Sequence, residues 1–279
     1  MMARGLRRRT MIERIAELIR YRGLIRSLIV RNLKLRYKSS MLGFAWSLLS
    51  PLLMMGAFTF VFTVLMPGGQ VERFPLFVLC GLLPWQFFSN SLSYSVGTVV
   101  HNAHLVKKIY FPREVLPIAS VLSNLVDFMV ASLLLLLLLP LLGNGLSVGL
   151  LLLPLVMLME ALFALGLSFV LSALNVLYRD VQQLMSFVLL MWFFCTPVFY
   201  SLEYTMPSYT IRGIRLDIRQ WVYRVNPLAT YVDAYRAILY GQAMPSPVLM
   251  LETMLVTLAL LGLGYRVFVH LSPRFPEEV

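Results

Sequence analysis

Two carboxylates, a run of cations and a histidine pair are the residues of this chain best suited to chemistry. Asp127 and Glu160 each stand inside a long apolar stretch. A carboxylate at mid-membrane depth is costly, and such groups serve as proton or cation sites in transporters or are neutralised by a partner. The sequence offers Ser123, Asn124, Ser168 or the other carboxylate as partners, and no Lys or Arg at the same depth. Arg31, Lys34, Arg36 and Lys38 crowd into eight residues of RNLKLRYKSSMLGFAWSLLSPLL, and no charge follows until Glu72. His101 and His104 have the spacing of a metal pair but no further ligand nearby, so no metal is expected. A phosphate-cradling loop needs Gly-x4-Gly-Lys-Ser/Thr. The sequence contains no Gly-Lys pair, so any ATP must be bound by another chain.

The elements that hold these groups are membrane helices. The 279 residues are 59% hydrophobic and 13% charged, against about 25% charged in a soluble domain. Continuous apolar runs of ~20 residues or more cross a bilayer as helices, because lipid leaves backbone polar groups no partner outside the segment. Six spans are expected, at 41–66, 76–99, 115–139, 147–175, 182–200 and 248–269. The fold class is therefore an all-α integral membrane protein. The net charge of +11 does not point to nucleic acid, because 12 of the 24 Lys and Arg precede the first span. That bias sets orientation and touches anionic lipid. With both termini inside, 18 cations face the cytoplasm and six face out, five of the six between Arg212 and Arg236. No apolar stretch with a small-residue cleavage site opens the chain, so no cleaved leader is expected. Cys80 and Cys195 fall in apolar runs and are expected as free thiols.

Residues 1–40 read as an amphipathic interface region and 41–279 as a six-helix transmembrane domain. Ile12, Ile15 and Ile19 share one helical face; beyond Gly23 the face moves to Leu24, Ile25, Leu28 and Ile29. Two short surface helices with a bend near Gly23 follow from that shift. Between spans two and three, residues 101–114 carry His104, Lys107, Lys108, Tyr110, Phe111 and Arg113, a basic and aromatic turn stopped by Pro112. It suits docking to a partner, or equally an interfacial loop. The long connection 201–247 contains NPLATYVDAYRAILYG, with Asn226 as N-cap, Pro227 at the first helical position and Gly241 at the end. A helix there dips back toward the bundle. Aromatics are dense at Phe44, Phe58 and Phe62, and again at Phe187, Trp192, Phe194, Phe199 and Tyr200. Rings suit the apolar faces of sugars, and they suit interfacial belts as well.

RNLKLRYKSSMLGFAWSLLSPLL, YFPREVLP, LNVLYRDV, TPVFY and NPLATYVDAYRAILYG, in that order, resemble the blocks of the membrane subunit of polysaccharide and polyol-phosphate ABC exporters, the permeases for O-antigen and teichoic acid. Asn32 departs from the acidic residue expected there. The resemblance implies a homodimer in the bacterial inner membrane, with two copies of a separate ATPase that carry ATP and Mg. It implies a coupling segment at 101–114 and an exporter with no catalytic site of its own. The first and fifth spans would line a channel with the aromatics named above. Tyr231, Tyr235 and Arg236 would belong to an external gate at 201–247. The cargo would be a lipid-linked glycan with a diphosphate head, met by Arg31, Lys34, Arg36 and Lys38. Two other classes remain in view: an ABC permease for a teichoic acid, a drug or a smaller lipid, and an ion-coupled transporter built on Asp127 and Glu160. A membrane-embedded glycosyl- or acyltransferase fits less well, since the three histidines are scattered.

Overall fold

The computed structural model describes residues 17–38, 42–65, 71–108, 111–141, 144–145, 147–202, 209–211, 214–216 and 218–279. Ile12 and Ile15, the face of the first expected surface helix, lie outside them. Helix α1 (Arg22–Tyr37) follows one helical turn and a break at Tyr21, close to the bend that Gly23 suggested. Next come α2 (Trp46–Thr59), which continues as a π-helical turn to Leu65, and α3 (Phe74–Val96). Two short helices, α4 (Thr98–His101) and α5 (Ala103–Lys108), lead to α6 (Val115–Leu141). Then α7 (Leu153–Leu177) and α8 (Val181–Cys195) complete the first part of the bundle.

Five helical stretches are long and apolar enough to cross a bilayer: Trp46–Leu65, Phe74–Val96, Val115–Pro140, Val148–Leu177 and Pro247–Glu278. They match five of the six expected spans. At the remaining expected span, 182–200, α8 is an apolar helix of only 15 residues. At ~1.5 Å per residue it covers ~22 Å, less than a ~30 Å hydrocarbon core.

The connection after α8 departs from a purely helical expectation. Strands β1 (Tyr209–Ile211) and β2 (Ile214–Leu216) form an antiparallel hairpin in which Ile211 faces Ile214. Alternating β-branched and polar residues around an Arg-Gly pair supply the local reason. Helix α9 (Ile218–Val225) leads into α10 (Pro227–Leu239), and α11 (Pro247–Leu271) and α12 (Phe275–Glu278) finish the chain.

Helix α3 is the axis of the molecule, with most of its residues buried, including Trp85, Phe87 and Phe88. It packs on α2, α6, α7 and α10. Helix α2 has one buried residue, Pro51. Its outer face shows Leu53, Met54 and Phe60, and that of α8 shows Leu184, Phe187 and Met191. A second cluster closes the end that holds α1, α4, α5 and α12, around Leu28, Val106, Phe111, Phe268 and Phe275.

The tightest helix pair is α7 with α11. Gly166 and Gly264 face each other, and a Cβ at Gly264 would collide with the Gly166 carbonyl oxygen. Small residues let lipid-embedded helices touch backbone to backbone, where dispersion replaces the missing hydrophobic drive. Gly264→Val should therefore lower stability by about 1–3 kcal/mol, the usual cost of overpacking. The thermal midpoint in detergent reads this out, with Gly262→Val as the comparison, since a Cβ there meets nothing within 4 Å. Equal midpoints for the two variants would show that the glycine contact does not hold the pair.

Candidate functional site

The basic run packs inward. α1 lies along α6, and Arg36 forms an ion pair with Asp127, both side chains largely covered. Tyr37 donates a second hydrogen bond to the same carboxylate at 2.9 Å. This corrects the expectation that no cation shares the depth of Asp127. The cation comes from a separate helix and reaches in along its side chain, so neither spacing nor hydropathy reveals it. Burial, reinforced by Asp127, pushes the Tyr37 hydroxyl up to about 12, which keeps it a donor at neutral pH. The Arg36 guanidinium also lies 4.3 Å above the ring of Tyr94, a cation–π contact. Arg31, one turn earlier, donates to Asn102 Oδ1 at 2.7 Å, and Asn102 Nδ2 is anchored on the Thr98 carbonyl at 2.7 Å. Lys34 and Lys38 point outward and are exposed. The four cations thus divide into two that reach into the bundle and two that remain at its surface.

The turn after α3 divides in the same way. His104, Lys107 and Lys108 are exposed on α5. Phe111 is buried in the cluster with Val106 and Phe275. Arg113 donates to the Ser272 carbonyl and stands 6.0 Å over the Phe275 ring. Tyr110 lies outside the described residues. The outward members therefore form a compact basic face, and the inward ones fasten that face to α12.

Most of the aromatic candidates form one continuous ring cluster. Phe58 stacks on Phe62 and Phe199, with centroids 6.4 and 5.5 Å away, and touches Phe193 at 5.9 Å. Phe194 and Tyr200 join through Phe199. Trp192 turns inward instead, edge-on to Phe88, with its Nε1 donating to Asn226 Oδ1 at 2.9 Å. Phe187 is exposed on α8. The side chain of Phe44 lies outside the described residues.

Helix α10 does dip into the bundle. Ten of its thirteen residues are buried, among them Tyr231, Tyr235 and Arg236. Asn226 stands at the N-cap position but does not cap; its Nδ2 donates to Thr196 Oγ1 at 3.0 Å and ties α10 to the end of α8. Tyr235 donates to Glu160 Oε2 at 2.8 Å, and the Tyr231 and Thr257 hydroxyls lie 2.6 Å apart. So Glu160 has a phenol for a partner, from a helix remote in sequence. Arg236 donates to the carbonyls of Val198 at 2.5 Å and Tyr200 at 3.4 Å, and its guanidinium lies 3.6 Å from the Phe77 ring centroid. Gly81 makes room for this, since a Cβ there would stand 2.8 Å from Val198 O and 2.9 Å from Arg236 Nη2. Sequence reading did not single out Tyr94, Asn102 or Gly81. A polar stripe at helical spacing on α6 (Ser120, Ser123, Asn124, Asp127) was the available signal.

A bundle of long apolar helices with a basic helix packed along it, a short exposed turn between two of them and a buried helix before the last one has the make-up of a membrane protein. Residues 23–240 match the family model described as ABC-2 type transporter, and the chain belongs to that family. Among curated proteins it is 35% identical over 269 residues to the O-antigen export system permease protein RfbA of Myxococcus xanthus, covering 96% of this chain and all of the relative. An RfbA of Klebsiella pneumoniae with the same description is 31% identical over 207 residues, 74% of this chain and 76% of the relative. The polysialic acid transport protein KpsM of Escherichia coli is 30% identical over 104 residues, 36% of this chain and 38% of the relative.

Breaking one side of a buried ion pair costs about 3–5 kcal/mol, whereas replacing both sides with apolar groups is close to neutral. Arg36→Gln should therefore lower the thermal midpoint well below wild type. The double variant Arg36→Met with Asp127→Leu should recover most of the loss. A double variant no more stable than the single would show that the pair does not tie α1 to α6.

Proposed function

We propose that this chain is the membrane permease of an ATP-driven exporter that moves a lipid-linked polysaccharide out of the cytoplasm of a bacterium. One observation carries the reading: the similarity to the Myxococcus xanthus O-antigen export permease extends over 96% of the chain and the whole of that relative. Two features support it. The sequence holds no phosphate-cradling loop, so nucleotide hydrolysis belongs to a separate ATPase subunit. The exposed His104, Lys107 and Lys108 present a short basic helix of the kind that seats in a partner's cleft.

In this reading α8 is the fifth of six spans, both termini are cytoplasmic, and the protein lies in the inner membrane. Two copies come together, each with one ATPase subunit that binds ATP and Mg. The outer faces of α2 and α8 then turn toward the channel, and the ring cluster of Phe58, Phe62, Phe199 and Tyr200 lies along it, offering apolar faces to passing sugars. Tyr231, Tyr235 and Arg236 hold the re-entrant helix at the external exit. The ion-coupled alternative gains no support, because Asp127 is engaged by Arg36 and Tyr37 and Glu160 by Tyr235.

Reversing charge on the docking face tests the proposal. Lys107→Glu with Lys108→Glu should release the ATPase during mild-detergent purification and stop delivery of glycan to the cell surface, while the permease stays folded. Glycan delivered at the wild-type rate without an associated ATPase would refute it.

A further inference from the structure

Two cavities adjoin behind α1, and their linings differ in chemistry. The outer one, about 460 Å³, lies between α1, α4 and α6. Arg31 and Arg36 enter it from one side, His101 and His104 from another, and Ser120 and Ser123 add hydroxyls. Among the described residues no carboxylate lines it. Asn32, Asn102 and Thr98 join the lining, so its only formal charges among the described residues are the two guanidiniums; such a space is matched to a ligand with several anionic oxygens, and guanidiniums suit phosphate best. Gly97 helps to form it, since a Cβ there would stand 2.6 Å from the His101 ring. The buried Nε atoms of Arg31 and Arg36 have no hydrogen-bond partner among the described residues.

The inner cavity, about 480 Å³, reaches deeper, between α2, α3 and α6. Its lining joins Trp46 and Trp85 with Gln86, Asn90, Asn124 and Ser50. Indole faces beside amides and a hydroxyl are the chemistry of a sugar ring, with its apolar C–H face and its edge of hydroxyls. Asn124 is 2% exposed, yet its Oδ1 has no donor among the described residues. A buried amide oxygen left unpaired is costly, and a sugar hydroxyl supplies the missing partner. Both volumes fall in the range of about 300–1,000 Å³ usual for small-ligand sites.

Arg36 and Tyr94 line both cavities, so the stacked guanidinium is the partition between them. We propose that the two cavities form one bipartite loading site for the junction of a lipid-linked glycan, with the phosphate oxygens in the outer cavity and the first sugar in the inner one. Arg36 is the shared cation. Asp127 holds it while the site is empty, and phosphate replaces Asp127 as its counter-ion on loading. That exchange gives up the ion pair between α1 and α6, so loading frees the surface helix. The assignment rests on the export reading above. Anionic phospholipid carries the same phosphate chemistry without the sugar, and the test separates the two.

The permease–ATPase complex in nanodiscs would be titrated with farnesyl diphosphoglucose, farnesyl diphosphate and dioleoylphosphatidylglycerol, with binding read by native mass spectrometry. Charge-assisted hydrogen bonds are the strong ones, so Arg31→Gln and Arg36→Gln should each weaken both diphosphates by about tenfold. Gln86→Ala with Asn90→Ala should weaken the glucose-bearing probe and leave farnesyl diphosphate unchanged. Asp127→Asn should tighten both diphosphates, because the competing carboxylate is gone. Since Asp127→Asn also removes a helix tie, the Gln86 and Asn90 variant, which leaves the ion pair whole, tests the sugar half independently. Binding indifferent to Arg31 and Arg36 overturns the proposal, as does weaker binding in Asp127→Asn. Phosphatidylglycerol binding with the same dependence on Arg31 and Arg36 gives the site to bulk lipid and overturns it too. In each of these cases, ATPase-dependent glycan export in cells leaves the function stated above standing; export without the ATPase refutes that function instead.

Discussion

A guanidinium and a carboxylate are each expensive where lipid surrounds a protein, and each needs a charged or hydrogen-bonding partner there. Arg36 and Asp127 meet this constraint by belonging to different parts of the chain, one to the basic helix and one to the third long span. The pair therefore fixes a geometry. It lays α1 along α6, turns Arg31 toward Asn102, and brings the turn that carries His101 beside the same helix. Lys34 and Lys38 remain exposed, on the stripe of α1 that also carries Arg31 and away from Arg36. One ion pair thus sorts a uniform run of cations into an inner and an outer set. Tyr94 adds a flat surface that restricts how Arg36 can leave.

Polar groups organise the opposite end by the same rule, with neutral partners. Helix α10 and its leading Asn226 carry Tyr231, Tyr235 and Arg236 into the bundle, where they bond to α7, to α11 and to the segment just beyond α8. Arg236 reaches two carbonyls just beyond α8 and the ring of Phe77 on α3. In water those bonds would contribute little; in a desolvated setting a cation left without them would be severely destabilising. The re-entrant helix is accordingly held by satisfied polar contacts on several sides, with Leu228 and Ile238 as apolar filling.

The helical class, the five long spans, a helix in the basic run and the buried helix of the long connection were legible in the sequence because each depends on local pattern: apolar length, helical periodicity, and the Asn-Pro start at 226–227. The partners of Asp127 and Glu160 were not, because Arg36 and Tyr235 are remote in the chain and hydropathy carries no information on rotation about a helix axis. The hairpin strands at 209–211 and 214–216 were missed for another reason: attention to apolar length passes over a strand of three residues. Asn226 had the right residue type at an N-cap, yet tertiary context took its side chain for Thr196 and Trp192. Among the candidate residues, the division of basic groups into inward and outward sets required the fold, since alternate faces of one helix look alike in composition.

The glycine contact between α7 and α11 bears on how the molecule is made. Helix α11 is synthesised last of the long spans, yet it supplies Gly264 to Gly166, Thr257 to Tyr231 and, through Ser272 just beyond its end, the carbonyl that receives Arg113. Those contacts touch the middle of the bundle, the re-entrant helix and the basic turn. Until this segment leaves the ribosome and enters the bilayer, the bare backbone groove of α7 has no cover and α10 lacks one wall. The chain therefore reaches its final packing only after translation of its last span, and any insertase or chaperone that shields membrane helices has its longest task at the exposed glycine face of α7.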